Sequence, residues 1–129
     1  MKKIHLLTAL LLASCASAPK VPEGVLTPAQ LNASRSQYNG QKVKVQGWMR
    51  SEFENYGLWE SRKANQKQTF VKDCVSLMIP ESMSTGRFNR RYVQVEGIFL
   101  ERLPQNVVQL GGCNITKLQL IEGTSPIEL

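Results

Sequence analysis

The chain has 129 residues and a formal net charge of +6, which suits one small, mildly basic domain. His5 is its only histidine and Asp73 its only aspartate. Because His5 lies in a segment that we expect to be removed, the mature chain offers no imidazole for a Ser-His-Asp or Cys-His centre or for a metal. One aspartate is too few for a typical calcium loop. The composition therefore predicts a protein without catalytic residues, bound metal or cofactor.

Residues 1–15 have the pattern of a bacterial secretory signal that ends in a lipoprotein box. Two lysines precede an apolar run that is shorter than the roughly 20 residues needed to span a bilayer. The segment Leu12-Ala13-Ser14-Cys15 resembles the box that the lipoprotein signal peptidase recognises. We therefore predict that residues 1–14 are removed and that a lipid on Cys15 anchors the mature chain to a membrane.

The residues after Cys15 bear on sorting and on the length of the connection. Alanine rather than aspartate follows Cys15, which by resemblance to Gram-negative lipoproteins implies the outer membrane, facing the periplasm. An ordinary secretory signal cut after Ala16 or Ala18 is the alternative, and Cys15 would then be discarded. Small, polar and proline residues predict that 15–24 form a flexible tether.

A short helix is predicted directly after the tether, over residues 28–36. Thr27 can accept a hydrogen bond as N-cap, Pro28 suits the first helical position, and Gln30 completes a capping box. Asn39-Gly40 then ends the helix.

Two long strands follow the same pattern of alternating apolar and polar residues, over 42–50 and 92–100. Each carries a glycine at the same place, Gly47 in one and Gly97 in the other. Glycine inside a strand weakens it unless the strand must bend there, so the pair predicts the corners of a small closed barrel. Gene duplication is the competing explanation, but the similarity stops at the strands.

The remaining segments complete a fold of one helix and five strands. Residues 58–60 and 74–79 read as strands, separated by a polar loop over 61–73. A linker, a possible short strand over 106–110 and a last strand over 114–121 follow. The predicted fold is mainly β, a five-stranded OB-fold-like Greek-key barrel with a short N-terminal helix. It covers residues 25–122, and residues 123–129 are predicted to be a loose tail.

At this point the chain shows a family resemblance. The stretch from Gln37 to Gly47, with its Tyr-Asn-Gly opening and Val-x-Val-x-Gly strand, resembles the start of small bacterial OB-fold-like envelope lipoproteins. The resemblance continues through Tyr92–Gly97 and Cys113–Leu118. It implies a barrel, and it transfers no functional residues to this chain.

Cys74 and Cys113 are predicted to form a disulfide. In an oxidising compartment two thiols are more often bridged than free. The third and fifth strands of an OB barrel run parallel and side by side, so Cys74 at the start of one and Cys113 just before the other lie at the same end. The bridge would contribute about 4 kcal/mol by the chain-entropy model. Two buried free thiols are the alternative.

A possible ligand face lies on the first two strands and the rim of the barrel. Aromatic and arginine side chains interleave there, as a stacking site for an anionic polymer requires. Its predicted members are Trp48, Arg50, Tyr56, Trp59, Arg87, Arg90 and Arg91. The competing interpretation is that one tryptophan caps the core and that the arginines form a solvated edge.

Three functions are open at this stage. The first is a non-catalytic binding or adaptor module for envelope components, tethered by the lipid, with an envelope protein or glycan as partner. The second is recognition of an oligosaccharide, a peptidoglycan fragment or another anionic polymer on the barrel face; a periplasmic location argues against nucleic acid. The third is an enzyme that uses Glu52, Glu54 or Glu60 with Tyr56 as general acid or base, which the missing catalytic residues argue against.

Overall fold

The structure is a computed structural model that describes residues 17–102, 104–106 and 113–129, and of residues 70 and 71 the backbone only. The predicted signal peptide and Cys15 lie outside the described residues, as does most of the possible strand over 106–110. The described residues form six strands: β1 Lys42–Glu52, β2 Asn55–Trp59, β3 Cys74–Met78, β4 Arg91–Leu100, β5 Lys117–Leu120 and β6 Ile127–Glu128. Four short helices accompany them: α1 Pro28–Ala33, α2 Arg35–Tyr38, α3 Arg62–Lys67 and α4 Phe70–Asp73.

The first five strands close into a barrel with OB-like topology, which confirms the predicted fold. Their order around the barrel is β1-β2-β3-β5-β4, and pairing of β1 with β4 closes it. β3 and β5 run parallel, with Ser76 opposite Lys117, and the other neighbours are antiparallel. The strand β6 pairs with Val93 and Gln94 of β4, so part of the segment predicted as a loose tail belongs to the sheet.

The core fills the barrel from the inward faces of the long strands. Val45, Met49, Val93 and Phe99 are fully buried, and they alternate with outward residues as the sequence pattern predicts. Leu31 of α1 is also fully buried in this core, so the helix covers one end of the barrel. The capping box of Thr27 and Gln30 is present, although the helix breaks at Ser34 and continues as α2.

Gly47 and Gly97 lie where each long strand passes from one neighbouring strand to the next. A Cβ on Gly47 would lie 2.5 Å from the backbone oxygen of Trp59, and one on Gly97 would lie 2.7 Å from that of Gln119. At both positions the close approach of a neighbouring strand backbone therefore leaves no space for a side chain. The shared position thus follows from barrel geometry.

The segment 61–73 differs from the predicted loop because it contains α3 and α4. The Ser61 side chain accepts a hydrogen bond from the backbone N–H of Ala64 and caps α3, and Gln68 ends α3 in the left-handed conformation. Only Ala64 of α3 is buried. A helix with one apolar contact shows no hydrophobic periodicity, which is why the sequence pattern did not reveal it.

The predicted Cys74–Cys113 disulfide is confirmed. It is buried in a small second cluster with Trp59 and Ala64, outside the main core. The bridge joins the start of β3 to the segment that leads into β5, at the end of the barrel where parallel pairing begins.

We expect Gly47→Ala to lower the free energy of unfolding by about 1–3 kcal/mol or more, because its methyl group collides with backbone that cannot move aside. The matched control is Gly86→Ala, since an added Cβ there meets nothing within 4 Å. Urea unfolding with the disulfide intact measures both. Equal stability of the two variants would contradict this account of the barrel corner.

Lys117 of β5 is 3% exposed, and burial lowers the pKa of its ammonium group to about 8. Between that value and the ordinary lysine pKa, the unfolded chain binds more protons, so stability should rise with pH over this window. Lys117→Met should raise stability at pH 7 and abolish that part of the rise between pH 8 and 10. Denaturant unfolding across this range tests it, and parallel pH profiles for both proteins would refute it.

Candidate functional site

A recess of about 400 Å³ opens on the outside of the barrel and carries four arginines. We call it the arginine recess. Its lining comes from β1, from α3 and from the turn that enters β4: Trp48, Arg50, Arg62, Asn65, Gln66, Arg90 and Arg91.

Strand geometry and one strained turn aim these side chains at the same place. Trp48 and Arg50 are two residues apart on β1 and therefore point to the same, outward face. Arg90 has a positive φ of 59°, and its backbone N–H donates to the carbonyl oxygen of Met49 at 2.8 Å. A left-handed conformation is unfavourable for arginine, so this contact holds the turn in place beside β1. Arg91 then begins β4 opposite Met49.

Trp48, which lines the recess, belongs to an aromatic pair. The rings of Trp48 and Tyr92, which are cross-strand partners, meet edge to face with centroids 4.9 Å apart. The guanidinium of Arg62 lies 5.8 Å from the centroid of the Trp48 ring. The backbone N–H of Arg62 donates to the Tyr92 hydroxyl oxygen at 3.0 Å, which ties the start of α3 to β4.

The guanidinium of Arg50 is fixed by two partners on opposite sides. It donates to Asn65 Oδ1 at 3.1 Å and to Glu52 Oε2 at 3.0 Å. The buried Nε–H of Arg50 has no hydrogen-bond partner among the described residues. Arg50 is therefore a cation held in position at the recess, and a guanidinium in this setting is a favourable partner for an anionic group.

Glu52 balances only part of the positive charge. A hydrogen bond from Asn89, followed by one from Arg50, lowers the pKa of the Glu52 carboxyl below its ordinary value. Arg90 Nε lies 3.6 Å from Glu52 Oε1, and Arg91 pairs with Glu128 at 3.5 Å. Both of these pairs are largely exposed, and exposed ion pairs are weak, so the arginines can exchange them for a ligand.

The structure brings together four of the seven residues predicted for the ligand face. Trp48, Arg50, Arg90 and Arg91 all line the arginine recess. The other three, Tyr56, Trp59 and Arg87, lie elsewhere.

Trp59 requires a correction, because it is 2% exposed and packs against the disulfide instead of facing solvent. Tyr56 lines a separate groove with Met83 and Thr85. The Arg87 guanidinium stacks on the Phe88 ring at 4.5 Å and does not line the recess.

The sequence patterns did not predict three lining residues, Arg62, Asn65 and Gln66, nor the ring partner of Trp48, Tyr92. The first three belong to α3, which was predicted to be a loop. The N-cap Ser61 followed by helix-forming residues is the signal that would have found it. Tyr92 was placed on a strand, but its contact with Trp48 depends on the β1–β4 register, which one strand pattern cannot specify.

The three glutamates considered for catalysis are engaged in different places. Glu52 binds the arginines, whereas Glu60 accepts a hydrogen bond from the backbone N–H of Ala29 at 2.8 Å and so caps α1. Glu54 occupies the turn between β1 and β2 with a positive φ of 58°. Within the described ranges, no cluster of three His, Cys, Asp or Glu side chains could hold a metal ion.

The fold and the recess define a class: a small OB-like barrel with an arginine-rich recess on its outer surface that is also lined by a tryptophan. No protein-family model, curated protein or solved structure matches the chain. Among the described residues, no helix has the length and apolar character to cross a membrane. The function must therefore be inferred from the fold and the recess.

Asn89→Ala should raise the pKa of Glu52 towards its ordinary value, because the first of the hydrogen bonds that stabilise the carboxylate is lost. In the wild type the lowered pKa contributes stability above the unfolded value, and this contribution is lost as pH falls through the folded value. NMR titration of the Glu52 carboxyl carbon measures the shift. Asn65→Ala is the control, since the Asn65 side chain bonds Arg50 and not Glu52, and an unchanged Glu52 pKa in Asn89→Ala would contradict the assignment.

Proposed function

We propose that this protein is a lipoprotein of the bacterial envelope, anchored through Cys15 in the outer membrane and facing the periplasm, and that its barrel is a non-catalytic binding or adaptor module. The lipoprotein-like box at Leu12–Cys15 supports the anchor. The arginine recess supports the binding role. Anchoring would raise the effective concentration of the barrel near other envelope components, so a weak site would suffice.

The observation that carries the binding role is the convergence of four guanidinium groups on one recess. Guanidinium groups present planar, paired donors that match carboxylate and phosphate oxygens. Arg50 is already held in position by Asn65 and Glu52, so a ligand need not order it. An anionic group is thus the chemistry that the recess recognises best.

The Trp48–Tyr92 pair favours a more specific alternative, an anionic saccharide such as a peptidoglycan fragment. A partly buried indole offers an apolar face for a sugar ring, next to cations that can bind its carboxylates. The recess combines both features within one strand register.

The electrostatics of Glu52 support a role without catalysis. Its carboxyl has a lowered pKa, so at neutral pH it remains ionised and is a weak base that has no proton to donate. A general acid or base needs a pKa near the working pH. The carboxylate nearest to the recess therefore serves to position Arg50 and Arg90.

The test is to titrate the purified mature protein with a muropeptide that carries free carboxylates and to follow tryptophan fluorescence. The double variant Arg90→Gln/Arg91→Gln should raise the Kd about ten-fold or more, since charge-assisted hydrogen bonds contribute about 1.5–3 kcal/mol each. The control Arg35→Gln/Arg102→Gln makes the same change in charge away from the recess and should bind normally. Equal affinity in both double variants would remove the recess as the site.

A further inference from the structure

The N-terminal segment lies on the outer surface of the barrel, whereas its sequence predicts a flexible tether. Gln46 Nε2 donates to the carbonyl oxygens of Pro19 at 3.0 Å and Lys20 at 3.2 Å. The chain then reaches Leu26, which pairs with β1 beside Val45. Gln46 points outward from β1, yet it is 3% exposed, because this segment covers it. The predicted tether over 15–24 is therefore seated on β1 from residue 19 onward.

This seating leaves a short spacer between the predicted lipid and the barrel. From Cys15 to Pro19 there are four residue steps, and an extended chain covers at most about 3.6 Å per residue, or roughly 14 Å in all. A lipid on Cys15 would thus hold the Gln46 face close to the bilayer. A free tether that continued to residue 24 would allow more than twice that distance.

The arginine recess lies on the same outward face. Gln46, Trp48 and Arg50 are alternate residues of β1, and each step of two residues covers about 7 Å. On β4, Gln94 and Tyr92 lie opposite Gln46 and Trp48. Trp48, which lines the recess, is therefore about 7 Å along β1 from Gln46, the residue on which the N-terminal segment is seated.

The chemistry of this face matches a lipid headgroup region. Tryptophan and tyrosine favour the boundary between apolar chains and water, and arginine binds lipid phosphates. Lys20 and Lys44 are exposed beside the seating point. Phe53, at the turn that follows β1, is 86% exposed.

We propose that the arginine recess binds the phosphate groups of anionic lipids in the membrane that holds the protein, so that the barrel rests on the bilayer through this face. The proposal rests on the lipid anchor of the proposed function. Two observations carry it: residues 19 and 20 are seated on Gln46, which leaves only a short spacer to the proposed lipid, and the nearby recess is cationic and lined by the half-buried Trp48. A soluble peptidoglycan fragment remains an outcome of the test.

The test uses the mature protein, purified from cells that express the full chain, in vesicles that contain brominated lipid, which quenches indoles on contact. In vesicles of phosphatidylcholine with phosphatidylglycerol, tryptophan emission should be strongly quenched, and in phosphatidylcholine alone much of the quenching should be lost. High salt should weaken the quenching, because it screens the attraction between the arginines and the lipid phosphates. Trp48→Phe should abolish it, since Trp59 is buried.

Two variants separate the charge from the spacer. Arg90→Gln/Arg91→Gln should lose most of the quenching, whereas Arg35→Gln/Arg102→Gln should keep it. A flexible Gly-Ser insert between Ala18 and Pro19 should also reduce it, because a longer spacer lowers the effective concentration of the face at the surface.

The outcomes distinguish the two proposals. If the protein fails to float with vesicles of either kind, the lipid anchor is wrong and the proposed function falls with it. If it floats but Trp48 is unquenched, or is quenched equally by neutral and anionic vesicles, the membrane role of the recess is overturned while the anchor stands. An unquenched Trp48 whose emission shifts with the muropeptide identifies a glycan site instead.

Discussion

The closure of β1 against β4 is the interaction on which the rest of this structure depends. These two long strands pair from Lys42 to Met49 while also reaching β2 and β5 at their far ends. One strand can serve two neighbours only if it coils sharply, and coiling brings backbones closer than a Cβ permits. Gly47 and Gly97 provide the space at the two positions where a long strand passes from one neighbour to the next. Without that approach, the five strands would form an open sheet with exposed edges.

The same closure builds the recess. Pairing places Tyr92 opposite Trp48, and the left-handed turn that leads into β4 brings Arg90 and Arg91 into the lining of the recess. The helix α3, whose first backbone N–H donates to the Tyr92 hydroxyl oxygen, adds Arg62, Asn65 and Gln66 to the lining. No single strand or helix supplies the whole site. Its geometry is a by-product of barrel topology, and its charge comes from residues that contribute nothing to the core.

The balance of charge in the recess suits reversible binding more than stability. Arg50 is confined by Asn65 and Glu52 and is mostly buried, whereas Arg90 and Arg91 are largely exposed and hold weak partners. With one cation already held in place and two exposed cations beside it, the recess can bind an anion at a small entropic cost for Arg50. The seating of residues 19 and 20 on Gln46 then fixes the N-terminal segment on the same strand that carries Trp48 and Arg50, so the proposed anchor and the proposed site would be linked.

Local patterns were enough to predict the barrel and its bridge. Alternation along β1 and β4 gives the inward residues, and a capping box begins α1, because both signals act between residues near in sequence. The disulfide followed from topology, since parallel β3 and β5 bring Cys74 and Cys113 to one end. Only the tertiary structure decided that Trp59 is buried, that the start of α3 is held against Tyr92, and that residue 19 lies against Gln46. Each of these depends on which distant surface covers a residue, and strand periodicity tells which way a side chain points but not what it meets there.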